Sequence, residues 1–137
     1  MKSTQLLSAG VCLALFGTGL ATGLVANPAS DSPQRVEKQR ADLSGAPHME
    51  VIASVAEYGP GERIDFHVHH GIEAAYVVQG AAIEVAGKAP TTLETGATVM
   101  NLRDIRHGGF TVVGERPLKL FTVHIVDKDK PLYDHRP

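Results

Sequence analysis

The sequence predicts an all-β domain, and three observations carry that expectation. From Met49 onward, runs rich in Val, Ile, Thr and Ala are punctuated by Gly and Pro at intervals of about eight to twelve residues, the rhythm of short strands in a sandwich or barrel. No apolar period of 3.6 residues persists there for three turns, which argues against a helical layer and against βαβ units. Side chains within the runs alternate in character with a period of two. The chain has 137 residues and is 43% hydrophobic, enough for one domain with a buried core.

The elements follow in order. Lys2 is the only charged residue before Asp31, and Leu6 to Ala26 is uncharged and chiefly Leu, Val, Ala, Gly and Thr. A short basic start, an apolar stretch and small residues at its end read as a secretory signal peptide over residues 1–26, cut after Gly23 or Ala26. The alternative is an uncleaved membrane anchor; Gly10, Gly17, Gly19 and Gly23 weaken a helical span and count against it. The expected location is therefore the periplasm or the cell exterior, with no membrane attachment for the cleaved form. Cys12 is the sole cysteine, so no internal disulfide, Cys-based zinc site or, after cleavage, thiol catalysis is available.

Residues 27–48, rich in Pro, Ser and charge, read as an N-terminal arm or linker. Ser32-Pro33 can open a short helix through Arg40, and an extended edge strand fits equally well. The β domain proper is expected over 49–137. Its strand candidates are Glu50–Tyr58, Arg63–His69, Ala74–Val78, Ala82–Ala86, Thr98–Asn101, Phe110–Val113 and Leu118–Val126. On the second run, Arg63, Asp65, His67 and His69 share one face; on the third, Glu73, Ala75 and Val77 share a face opposite Ala74, Tyr76 and Val78. If the His and Glu face inward, the exterior is unusually apolar, and a second copy of the chain is the expected cover, with the N-terminal arm as the alternative.

Charge and composition exclude some functions. Lys plus Arg is 13 against 15 acidic residues, with no long run of either sign, so there is no basic stripe for nucleic acid. Aromatics are 5% and Trp is absent, which leaves no stacking platform for single strands. The expected partner is a small molecule.

Seven His is the unusual entry in the composition. His67 and His69, two apart on a strand, point the same way, and His70-Gly71 turns the chain toward Glu73. A hairpin there brings the Glu73 carboxylate beside both imidazoles, and His107 can arrive from a neighbouring strand. Three imidazoles and a carboxylate suit a divalent ion, with Fe or Mn favoured and Ni, Cu or Zn possible. Four protein ligands on a six-coordinate ion leave two open positions; a tetrahedral zinc would be filled and structural.

The segment Gly61-x5-His67-x-His69-x3-Glu73-x6-Gly80 resembles the first motif of the cupin superfamily at every fixed position. The second motif is matched at Gly96 and His107, while Leu102, Asp104 and Thr111 stand where the family has Pro, Gly and Asn. The resemblance covers Gly61 to Thr111 and implies a small jelly-roll β-barrel with a metal ion inside, commonly a dimer. It also implies His67, His69, Glu73 and His107 as ligands, with Glu73 the candidate for proton shuttling.

Other residues carry smaller readings. His70 is a turn residue facing away from His67 and His69. His124 shares a face with Leu118, Leu120, Thr122 and Val126 and reads as a hydrogen-bonded core residue before a site residue. Tyr133 is a possible proton donor, and Tyr76 a packing residue. Arg63, Arg103 and Arg106 read as solvated loop charges before a rim for an anionic ligand. Two functions follow: a metal-dependent dioxygenase or other oxidoreductase acting on a small organic acid or phenol, or a non-catalytic binding module whose metal is structural or anchors the ligand. Fold alone does not choose between them.

Overall fold

The computed structural model describes residues 32–136, and the export segment read over 1–26 lies outside them. The described residues contain nine strands and no helix: β1 (Arg35–Asp42), β2 (Met49–Tyr58), β3 (Arg63–Ile64), β4 (Gly71–Gln79), β5 (Ala81–Val85), β6 (Thr91–Leu93), β7 (Thr98–Asn101), β8 (Phe110–Val113) and β9 (Leu118–Asp127). They form two sheets, one ordered β1-β2-β9-β4-β7 and the other β3-β8-β5-β6. Every strand pair is antiparallel. The chain passes repeatedly from one sheet to the other, which is the jelly-roll architecture the sequence implied.

Of the two options for the segment before Met49, the structure takes the extended one. β1 runs along β2 from Arg35 opposite Ala56 to Asp42 opposite Glu50 and closes the edge of the larger sheet. Its side chains are almost all exposed, so it contributes pairing more than core. β7 and β8 have the bounds expected from sequence, whereas β6 was not anticipated: Thr91-Thr92-Leu93 is too short to show an alternation.

The run Arg63–His69 is not one strand. β3 ends at Ile64, and pairing resumes only as two isolated bridges, His67 with His107 and Val68 with Asp134. Two main-chain bonds close the first bridge, His67 N to His107 O at 3.1 Å and His107 N to His67 O at 3.0 Å. The parity shifts across the break, so that Ile64 and His67 line the same cavity. Gly108 makes the break possible: its φ is +82°, and a Cβ there would come within 2.6 Å of the Asp65 carbonyl oxygen.

The inward face of β4 was read correctly, whereas Arg63 and Asp65, expected on the face of His67 and His69, are exposed because of that parity shift. β4 buries Glu73, Ala75 and Val77 and turns Ile72, Tyr76 and Val78 outward. The barrel interior has two unlike halves. One holds a dry cluster of Ala56, Tyr58, Val77, Ala81, Val112 and Leu118. The other holds Ile52, Val126, Leu132 and Tyr133 beside a group of buried polar side chains. Outside the larger sheet, Tyr76 and Val78 are about half exposed and Phe121 and Ile125 somewhat less, an apolar exterior of the kind the alternation predicted.

Candidate metal centre

The donor group is assembled by register. Glu73 on β4 lies opposite Asn101 on β7 and opposite His124 on β9, and directly opposed residues share a face. The His67–His107 bridge brings two imidazoles from the other side, with ring centroids 4.3 Å apart. His69 lies between these groups, 4.8 Å from the His67 ring and 4.7 Å from the His124 ring. The four residues expected from the sequence, His67, His69, Glu73 and His107, therefore converge.

Each of the three motif histidines is anchored through Nδ1 to a main-chain carbonyl. His67 donates to Asp65 O at 2.8 Å, His69 to Leu132 O at 2.5 Å and His107 to Ile105 O at 2.9 Å. A carbonyl only accepts, so Nδ1 carries the proton in all three and the Nε2 lone pair is left free to ligate. In His69 and His107, Nε2 is buried and has no hydrogen-bond partner. These two atoms come 3.3 and 3.5 Å from Glu73 Oε2, close to its charge but outside hydrogen-bond geometry. Asn101 Nδ2 donates to the same oxygen at 2.7 Å and fixes the carboxylate.

The electrostatics agree with the donor assignment. Burial works to raise the Glu73 carboxyl, but the imidazoles of His107, His124 and His69 outweigh it and hold the group well below the usual carboxylate range. Burial pushes His67 down to about 4, with the neighbouring His107 and His69 adding to the effect, so His67 is neutral near pH 7. Burial also opposes charge on His107, yet Glu73 and the Ile105 carbonyl prevail and raise it. A buried carboxylate among imidazoles with unpartnered nitrogens has the chemistry of a divalent-cation site: hard and borderline donors, one negative charge, and polar atoms that nothing else in the fold satisfies. The donor atoms of His67, His69 and His107 lie within 4.8 Å of one another, as do those of His69, Glu73 and His124.

His124 was read mainly as a core histidine and is instead at the centre. It is fully buried, and its Nε2 lies 3.4 Å from Glu73 Oε1. Its inward parity was visible in the sequence; the register that sets it opposite Glu73 was not. Asn101 was missed for the same reason. Tyr133 packs its ring 4.6 Å from His67 and 5.1 Å from His69. It belongs to a C-terminal strap that bridges Val68 to Asp134 and also supplies the Leu132 carbonyl for His69.

The remaining candidates lie elsewhere. His70 faces away, held by Asp104 at 3.2 Å and Asp134 at 3.0 Å. Arg63 pairs with Asp65, Arg103 forks onto Asp127, and the Arg106 guanidinium sits 4.5 Å above the Phe66 ring. Asp104, at the second motif's Gly position, has φ +57° and is the only non-glycine with positive φ among the described residues. Asp tolerates that conformation better than most residues, so a left-handed turn is available here without glycine.

A cavity of about 190 Å³ opens beside the donors. His67, Glu73, His107, Asn101, Thr122 and Tyr133 supply its polar wall, and the rest is chiefly aliphatic and aromatic. His69 and His124 are behind that wall.

No family model and no curated protein matches this sequence. Solved structures resemble it in fold. A protein with a double-stranded β-helix domain from Klebsiella pneumoniae shares 19% identity at a TM-score of 0.52, over 76% of this chain and 84% of that one. The polyketide cyclase RemF from Streptomyces resistomycificus shares 15% at a TM-score of 0.52, over 77% and 73%. A DMSP lyase structure shares 24% at a TM-score of 0.44 over 54% of this chain, which spans only 37% of that protein's length. At these identities the likeness is one of fold.

Proposed function

We propose that this chain, a cupin by fold and by the spacing of its first motif, holds one divalent metal ion through His67, His69, Glu73 and His107 and uses it on a small molecule bound in the adjoining cavity. The observation that carries this reading is the set of three imidazoles, each with Nδ1 tied to a carbonyl, gathered around a buried carboxylate at the wall of an apolar cavity. Mixed imidazole and carboxylate donors favour iron(II) or manganese(II). Such an ion supplies Lewis-acid or redox chemistry at a bound oxygen atom.

The chain's own residues do the rest. Asn101 holds Glu73 in place, and the main-chain carbonyls fix the tautomers of the three histidines. The aliphatic wall excludes water. None of the cavity's lining residues is Lys or Arg, which favours a small phenol over a free organic acid as the ligand. The finer reading is a dioxygenase acting on such a phenol. Lys2 and the apolar stretch Leu6–Ala26 support a protein that works in the periplasm or outside the cell.

The test is elemental analysis of protein purified anaerobically without a chelating resin, followed by oxygen uptake with a panel of phenols and catechols. About one iron or manganese per chain, lost in the double variant His67→Ala/His69→Ala, is the expected result. Metal retained at one per chain in that variant would sink the site assignment. Tightly held zinc with no turnover would replace the enzyme with the binding module.

A further inference from the structure

Resting on the metal reading above, the structure assigns His124 as a fifth protein donor, so that the centre is built from four histidines and one carboxylate. His124 has no exposed surface, and neither of its ring nitrogens has a hydrogen-bond partner. A buried polar group left unpaired is costly, so an imidazole with two such atoms calls for a partner outside the protein's own hydrogen-bond network. Its Nε2 faces the centre, 3.4 Å from Glu73 Oε1.

The distances single it out further. Ligand atoms of one ion sit roughly 2.0–2.2 Å from it, so no two can be much more than about 4.4 Å apart. His69, Glu73 and His124 satisfy nearly that limit, with their donor atoms mutually within 4.8 Å, and all three are buried. The other compact trio is His67, His69 and His107; the two share His69 but do not merge into one group at that spacing, so ligation by all five requires the outer imidazoles to draw in around the ion. Glu73 therefore has as its nearest donors His69, His107 and His124, and an ion held by Glu73 is drawn toward His124. Parity and register make this placement a property of the fold: residue 124 is fixed opposite residue 73 by the β4–β9 ladder.

The consequence is chemical. Five protein donors leave one open position on a six-coordinate ion instead of the two expected from the sequence motif. His69 and His124 close the rear of the centre, and that position opens toward the cavity past His67, Glu73 and His107. A ligand then binds through a single oxygen, as a monophenol does, and a chelating catechol or hydroxy acid is disfavoured.

The experiment uses the full protein loaded with cobalt(II) and labelled at its histidines. Each coordinated imidazole gives its own strongly shifted ring signals in the NMR spectrum, which can be counted. The expected result is four shifted sets in the wild type, three in His124→Gln, and a loss of cobalt affinity in that variant of roughly a hundredfold or more. Three sets in the wild type overturn the assignment of four histidine ligands, and three that persist in His124→Gln show that His124 acts only on Glu73, even if that variant binds more weakly. The wild-type count needs no variant, so a His124→Gln that fails to fold leaves the result decisive. A wild type that takes up no cobalt overturns both this inference and the metal reading, whereas three sets at one cobalt per chain overturn this inference alone.

Discussion

The two halves of the barrel interior use the same strands and the same inward parity for opposite ends. Along β9 the buried residues run from Leu118 to Thr122, His124 and Val126; along β4 they run from Val77 through Ala75 to Glu73. At one end the strands converge on a cluster with almost no polar atoms, and at the other on five potential metal donors in two compact trios that share His69. Cohesion and chemistry are thus segregated along each strand. The apolar half can hold the strands in register while the polar half keeps buried nitrogens unpaired, a state that would be costly without a scaffold.

That division predicts which half each property answers to. The largest effect is expected from Leu118→Ala, which opens a cavity in the dry cluster: about 2–5 kcal/mol of stability lost in chemical denaturation, with metal affinity in the surviving folded protein within a few-fold of wild type. Parallel loss of affinity would break the comparison.

Acid should strike the other half. His67 titrates near 4 in the folded protein and near 6.5 when unfolded, so between those values the unfolded chain binds a proton that the folded chain refuses. Stability therefore rises with pH across that window and falls on acidification, by up to about 3 kcal/mol for this one group. His124, also lowered by burial, acts in the same direction, and Glu73 adds a loss below its ordinary range. His107, raised by Glu73, opposes them. Denaturation of the metal-free protein at pH 7 and pH 4.5 measures the sum, and equal stability at both would contradict the assignment of acid sensitivity to the donor half. The smallest effect is expected in the loop between β7 and β8, where Asp104→Gly relieves a left-handed residue but gives up the contact with His70. We expect a change within about 1 kcal/mol and metal content unchanged.

Much of this was legible in the sequence, and the omissions have a common cause. Period-two alternation identified the faces of β4 and β9, and the spacing Gly61-x5-His67-x-His69-x3-Glu73 picked out residues that do converge. What alternation does not contain is register. It placed His124 inward without saying that it meets Glu73, and it could not bring Asn101 to the carboxylate. The break after Ile64 was hidden because Arg63–His69 alternates well enough to pass for a strand, while the main-chain demands of the His67–His107 bridge are invisible in side-chain pattern. Asp104 shows the converse: where the motif has glycine, an aspartate takes the left-handed conformation itself.

The tie between His69 Nδ1 and the Leu132 carbonyl spans 63 positions of sequence. Closing so long a loop carries an entropic cost that local pairing does not, and non-local contacts of this kind slow folding. His69 is shared by both donor trios, so neither has its final geometry until the strap has docked. A partly folded chain therefore offers only loosely held imidazoles, and secure metal uptake is confined to molecules whose barrel has already closed.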